Sequence, residues 1–262
     1  MELKLDLHLH TAASADGRMT LKEIVAEARK KGLNGVAVTD HNVRYVPRDP
    51  ADAARGMEVL EDGFVVIAGE EFFTEYGHLV GLFMTEAIPT EADRGGPVNA
   101  KLPFAEAAER LHAQGALAIL AHPFEKAPAE ETVESLLPLL DALEAFNARA
   151  SAKHPEANDR AAALAAAHGL PVTAGSDAHL PREVGNGYVI LEVEALTPEA
   201  LRAAILRPGN AVHGTESRRT DAARSQFTRL RRAKVSPLRW GTWTLYAARC
   251  LFWDITRKRK SI

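Results

Sequence analysis

Along the first ten residues Leu3, Leu5, Leu7 and Leu9 alternate with Glu2, Lys4, Asp6, His8 and His10, the two-residue period of a strand. That period sets His8 and His10 on one face, about 7 Å apart along the strand. Two imidazoles so placed can hold one metal ion from one side, but a lone His-x-His is equally an ordinary polar strand face. Its meaning depends on further donors along the chain. Small polar residues 11–17 form a loop, and Thr20 with Glu23 then makes the capping box of a helix carrying Ile24, Val25 and Ala28 and ending at Gly32.

From there one form repeats: a short apolar run with polar residues only at its C-terminal end. It occurs at 35–41, 64–71, 116–123 and 171–179, and again at 143–146, which ends in Asn147-Ala148-Arg149. Helical periodicity fills 102–114, 132–140 and 156–168, the last closed by Gly169. A strand at 187–193, a helix at 198–207, a turn at 208–210 and a short strand at 211–213 complete this part of the chain. Alternating short strands and helices predict parallel βαβ units. An open doubly wound sheet gathers its ligands at one switch point, whereas here polar groups end nearly every strand, so a barrel with its site at the C-terminal rim is the expectation.

Composition narrows the picture without changing it. The chain has 262 residues, 46% of them hydrophobic, and no uncharged apolar run long enough to cross a bilayer. The N-terminus starts directly with a strand and shows no signal peptide, which predicts a cytoplasmic protein. Cys250 alone excludes an intrachain disulfide and thiolate-rich metal sites. The net charge of −3 conceals a division: thirteen of the 32 Lys and Arg, but only two of the 35 Asp and Glu, lie from Arg218 onward, leaving residues 1–217 at −14. An acidic body followed by a basic extension predicts two regions, 1–215 and 216–262.

Seven strand-end or loop segments carry nitrogen or oxygen donors: His8 and His10; Asp16; His41; Glu70 or Glu71; His78; His122; Asp177 and His179. Imidazole with carboxylate suits Zn, Mn or Fe and is too nitrogen-rich for calcium or magnesium. Nine such groups exceed the needs of one tetrahedral ion, so two or three divalent metals are expected.

Those residues stand in motifs: His8-x-His10, Asp16-Gly17, Thr39-Asp40-His41, Gly69-x-Glu71, Ala121-His122-Pro123 and Gly175-Ser176-Asp177-Ala178-His179. In this order, across roughly residues 1–215, they resemble the successive motifs of the PHP (polymerase and histidinol phosphatase) superfamily. The resemblance implies an α/β fold, a distorted (β/α)7 TIM-like barrel here followed by a basic C-terminal helical extension. It also implies a trinuclear metal centre and phosphoesterase activity. Carried over by position, His8, His10, Glu71 and Asp177 correspond to the ligands of one ion, and Glu71, His78 and His122 to those of a second bridged by Glu71. Asp16, His41 and His179 correspond to the ligands of a third. Two points stay open. Glu70 and Glu71 point to opposite sides of a strand, so only one faces inward, and the loop from His10 to Asp16 is one residue longer than the commonest family spacing.

A water bridging such ions has its pKa lowered toward neutrality and supplies hydroxide for in-line attack on a phosphate ester. Asp177, His179, Arg149 and Asn147 are the catalytic candidates. Arg149 resembles the Asn-x-Arg of relatives and would orient the phosphate, with Arg44 as second choice; Asn147 positions a ligand or caps the following loop. The short stretch between His78 and His122 leaves little room for a covering insertion, which predicts an open site. The substrate could be a nucleotide, a short oligonucleotide or a small phosphorylated metabolite. In the extension, 218–236 reads as helical or disordered. Residues 238–256 hold all three Trp between basic flanks, although Gly241 weakens a continuous helix. That pattern suits packing on the barrel or a second subunit, peripheral membrane contact through 238–260 at the inner face, or a nucleic-acid backbone. Two other functional classes compete: an amidohydrolase-like hydrolase, which would leave His41, His78 and His179 unused, and an inactive metal-stabilised binding module anchored by its tail.

Overall fold

In the computed structural model, which describes all of 1–262 except residues 92, 94, 98, 127 and 234, the alternating leucines build strand β1 (Glu2–Leu9). Lys234, counted among the basic residues of the extension, lies outside the described residues. Helix α1 (Leu21–Lys30) begins at Thr20, whose side chain accepts from the Glu23 amide at 3.3 Å while the Thr20 amide donates to the Glu23 carboxylate at 2.8 Å. It buries Ile24, Val25 and Ala28. Then come β2 (Gly35–Val38), α2 (Pro50–Ala53), β3 (Met57–Val59), β4 (Val65–Phe73), β5 (His78–Leu82), α3 (Phe104–Ala113) and β6 (Leu117–Ala121). The second half runs α4 (Glu130–Glu134), β7 (Ala142–Asn147), α5 (Ala148–Lys153), α6 (Ala157–His168), β8 (Val172–Gly175), β9 (Gly187–Glu192), α7 (Pro198–Ile205) and β10 (Ala211–Gly214). Two helices close the chain, α8 (Arg219–Arg232) and α9 (Pro237–Thr256).

The strands form one sheet in the order β10-β9-β1-β2-β4-β5-β6-β7-β8, with β3 also on β4. It curls until its interior strand β1 meets the segment after β8: the Asp177 amide donates to the His8 carbonyl at 2.8 Å, and the His10 amide to the Ala178 carbonyl at 2.9 Å. The result is a nearly closed, TIM-like α/β barrel. It is not parallel throughout. β1, β2 and β4 pair in parallel, as do β6, β7 and β8, but β5 runs antiparallel to both β4 and β6, and β9 antiparallel to β1. A hairpin needs only a short turn, and residues 74–77 supply it.

One core fills the barrel and two others lie under the helices, one beneath α3 and α6 and one beneath α1. Leu5, Leu7, Ala37, Ile67, Val80 and Ile119 pack inside with Leu201 and Ile205 of α7. Leu9 instead joins Ile24, Val36 and Val38 on the α1 side. The pairing of β1 with β2 shifts register between Asp6 and Leu9, so the strict alternation expected of this strand breaks just where the histidines stand. Two helical expectations also change. The stretch 132–140 divides into α4 and a 3-10 turn at Leu137–Leu139, because Pro138 lacks an amide proton and disfavours α-helix in the residue before it. Residues 237–256 form one helix through Gly241, since packing against α8 outweighs the weak propensity of a single glycine.

Candidate metal centre

Glu71 is the hub of the barrel mouth. On β4 it continues the inward row of Ile67 and Gly69, and His78 on the neighbouring β5 continues that of Val80. Its Oε1 lies 2.7 Å from His78 Nδ1, 3.2 Å from His122 Nε2 and 3.4 Å from His8 Nε2. Its Oε2 lies 2.7 Å from His41 Nδ1 and 3.4 Å from His10 Nε2. Five imidazoles from four segments thus face one carboxylate. Because β5 is antiparallel, the first residue of that strand reaches the same rim as the last residues of the parallel strands. Glu70 points away from the cavity.

A second carboxylate, Asp177, stands 3.3 Å from His10 Nε2, and Asp16 stands 3.4 Å from His179 Nε2 and 3.9 Å from His41 Nε2. Donor atoms close enough to share an ion fall into four overlapping groups: His8, His10 and Asp177; His8, Glu71 and His122; His41, Glu71 and His78; His10, His41 and His179. All nine carried-over positions lie in this cluster, although the close groups overlap instead of dividing into three separate ligand sets. His122 and Asp177 have left-handed backbone, with φ of 30° and 52°, conformations that cost energy outside glycine and concentrate at functional sites.

Burial alone would keep this site uncharged. Instead, against burial, the imidazoles of His78, His41 and His8 hold Glu71 well below the usual carboxylate range. Asp177 and Asp16 are likewise depressed against burial by neighbouring histidines. The histidines diverge. Burial, with His179 and His41, holds His10 well below its ordinary value, while Glu125 and Glu71 overcome burial to push His122 up to about 9. Even so, His8 Nε2, His10 Nε2, His41 Nδ1, Asp16 Oδ1 and Glu71 Oε2 are buried and make no aligned hydrogen bond among the described residues. Orphaned buried donors and acceptors are rare in folded chains, and convergent imidazole and carboxylate is the donor set of divalent transition ions. The residues fit a metal cluster.

Several supporting groups carried no sequence motif. Glu144 stands 3.0 Å from His8 Nδ1, accepts from the His122 amide at 2.8 Å and from Asn147 Nδ2 at 3.0 Å. A glutamate inside the apolar run 142–147 was the available signal. Ser14 lies 3.2 Å from His10 Nδ1 and donates to Asp40 at 2.6 Å, while Glu183 accepts from the His179 amide at 3.1 Å. Gly175 must be small, because a Cβ there would come within 2.3 Å of His8 Cβ.

The catalytic candidates separate. Asp177, His179 and Arg149 line a cavity of about 1020 Å³ above the cluster; Asn147 does not. Asn147 instead caps α5, accepting from the amides of Arg149 at 3.0 Å and Ala150 at 2.8 Å. Arg44 also points elsewhere, donating to the Met84 carbonyl at 3.0 Å. Arg149 is buried and donates to Ser225 and to the Asp177 carbonyl at 3.4 Å. Although burial opposes its charge, Glu183 and Asp177 hold its pKa above the ordinary value. The site is less open than the short stretch before His122 suggests. Cover comes from the extension: Ser225, Arg229 and Arg232 of α8 line the cavity, and Arg232 donates to the Ser14 carbonyl at 2.7 Å.

A family model described as PHP domain matches residues 6–111, and one described as PHP-associated matches residues 155–208. An uncharacterised protein of Methanocaldococcus jannaschii is 31% identical over 194 residues, 71% of this chain and 70% of its own. A probable phosphatase of Caldicellulosiruptor saccharolyticus is 51% identical over 41 residues, 16% of this chain and 17% of its own. Among solved structures, the lesion-specific endonuclease PfuEndoQ of Pyrococcus furiosus superposes with a TM-score of 0.56 at 23% identity. That match covers 81% of this chain and 58% of the endonuclease, and at this identity the likeness shows the fold.

Proposed function

This chain belongs to the PHP superfamily, and on that premise we propose that it is a metal-dependent phosphoesterase of a small phosphorylated substrate: a nucleotide, a short oligonucleotide end or a phosphorylated metabolite. Residues 1–215 would be the catalytic barrel and 216–262 its partial roof. The observation that carries the reading is Glu71, with both oxygens among five imidazoles and several of the surrounding donors left without hydrogen bonds. Asp16, His41, His78, His179 and Asp177 approach from the cavity side, His8 and His10 from beneath it, and His122 beside Glu125. Divalent Mn, Zn or Fe held there would supply a water of lowered pKa and offset the charge of a phosphate.

The chain's own side chains do the rest. Arg149, held between the Asp177 carbonyl and Ser225, is fixed where a phosphate oxygen can accept from it. Asp177 and His179 border the same space and hold its ionic balance. Lys126, Lys153, Arg229 and Arg232 ring the cavity, a positive rim suited to an anionic substrate. Asn147 acts through Glu144 and α5 as a positioning residue.

Metal analysis of the purified protein, with a panel of aryl phosphate, mononucleotides, oligonucleotides and sugar phosphates, tests this reading. Phosphate release that depends on metal and disappears in His8→Ala supports it. Full metal loading with no turnover of any phosphoester refutes it and favours a metal-stabilised binding module.

A further inference from the structure

Helix α9 has two unlike faces. Its inner face is spent on the fold. Trp243 Nε1 donates to the Ala223 carbonyl at 2.9 Å, Phe227 of α8 packs against the rings of Trp240 and Trp243, and Arg219 lies 3.5 Å over the ring of Trp253. Asp254 accepts from the Arg219 and Thr220 amides at the start of α8 at 2.9 and 3.0 Å. The outer face is different. Leu238, Leu245, Leu251, Phe252 and Ile255 are 54–78% exposed; at helical spacing Leu238, Leu245, Phe252 and Ile255 form one stripe with Gly241 and Ala248, and Leu251 lies at its edge. Large contiguous apolar surface facing water marks an interaction site.

Charge decides what the stripe meets. Arg249 borders it and Arg239 stands on the first turn of the helix, both exposed and, among the described residues, without an ion-pair partner. The two acids of the extension are already engaged, Asp221 by Arg182 and Asp254 by the start of α8. A second copy seated on α9 would therefore bring arginines against arginines with no free carboxylate from either extension. A nucleic acid would meet the cations but leave five apolar side chains in water. The described residues contain no helix long and apolar enough to cross a membrane, so the stripe would lie along a surface instead of entering it.

We propose that the outer face of α9 docks in the plane of a lipid membrane bearing anionic headgroups, with Leu245, Phe252 and Ile255 entering the acyl boundary and Arg249 beside them at headgroup level. This dock is separate from the metal centre and does not depend on its chemistry. Sedimentation of the full chain with vesicles of phosphatidylglycerol and phosphatidylcholine, against pure phosphatidylcholine, tests it. Binding should favour the anionic vesicles, weaken with salt, and fall at least about tenfold in L245D/F252D. Metal content should be unchanged, since both side chains face solvent. Absent or unselective vesicle binding overturns the proposal. So does a dimer in sedimentation velocity that L245D/F252D dissociates, which would assign the face to a second copy. Binding that survives L245D/F252D but is lost in R239E/R249E also overturns it, because the extension would then be a general polyanion site.

Discussion

Two sets of buried carboxylates stand within a few residues of each other at the barrel rim, and they titrate in opposite directions. On the inner side Glu71, Asp177 and Asp16 are depressed despite their burial, because imidazoles surround them. In the barrel wall, burial first and then Asp93 push Glu70 up to about 9, and burial lifts Asp6 to about 6 although the amides of Ser176 and Gly185 donate to it. Glu70 and Glu71 are adjacent on β4 and both nearly inaccessible. Depth therefore does not decide the charge of a carboxylate here; the partners on its side of the sheet do.

The contrast breaks first at Glu71. Glu71→Gln should reduce metal affinity and phosphoesterase turnover by more than about 100-fold, read by metal analysis and steady-state kinetics, because one ligating oxygen becomes an amide NH2 that cannot ligate and the negative charge is lost. Adding Mn or Zn to metal-free protein should raise its stability by about 2.7 kcal/mol at about 100 times Kd, since the unfolded chain lacks the assembled site. Thermal unfolding of Glu71→Gln should show little of that gain. Glu144→Gln tests support instead of ligation: it disturbs the carboxylate that faces His8 Nδ1 and accepts from the His122 amide. A loss of about 10–100-fold in metal affinity is expected by titration. Equal affinity would show that His8 needs no second partner.

The wall carboxylates give the smallest and opposite effect. The folded chain holds the Glu70 proton up to about 9, above the ordinary 4.5 of the unfolded chain. It therefore binds more protons than the unfolded chain across that window, and stability falls as pH rises through it, by at most about 1.4 kcal/mol per unit. The inner carboxylates act the other way: their contribution is present above the ordinary carboxylate range and is lost as pH falls below it. Urea unfolding of Glu70→Gln should flatten the decline between pH 4.5 and about 9 while metal content stays intact. A decline as steep as in the natural chain would remove Glu70 as its source.

What was legible in the sequence is what local chemistry writes. Polar residues ending apolar runs marked the rim, and Thr20 with Glu23 marked α1. Three features depend on distant neighbours and were not legible. The run His78-Leu79-Val80-Gly81-Leu82 is short and interrupted by glycine, so β5 is stabilised by pairing on both sides and left no strand signal of its own. In β1 the leucine alternation looked unbroken, yet a register shift against β2 separates Leu9 from the other leucines. The choice between Glu70 and Glu71 needed the phase of β4 in the sheet. The extension was harder still, because only folding brings Arg232 to the carbonyl of Ser14, 218 residues away.

All three tryptophans of the chain, Trp240, Trp243 and Trp253, lie on α9, two against Phe227 and the third beneath Arg219. The barrel is thus dark in tryptophan emission. Tryptophan fluorescence of this protein reports the seating of α9 on α8 and nothing of the barrel directly, so a red shift without loss of far-ultraviolet dichroism is the optical signature of the roof lifting from an intact barrel.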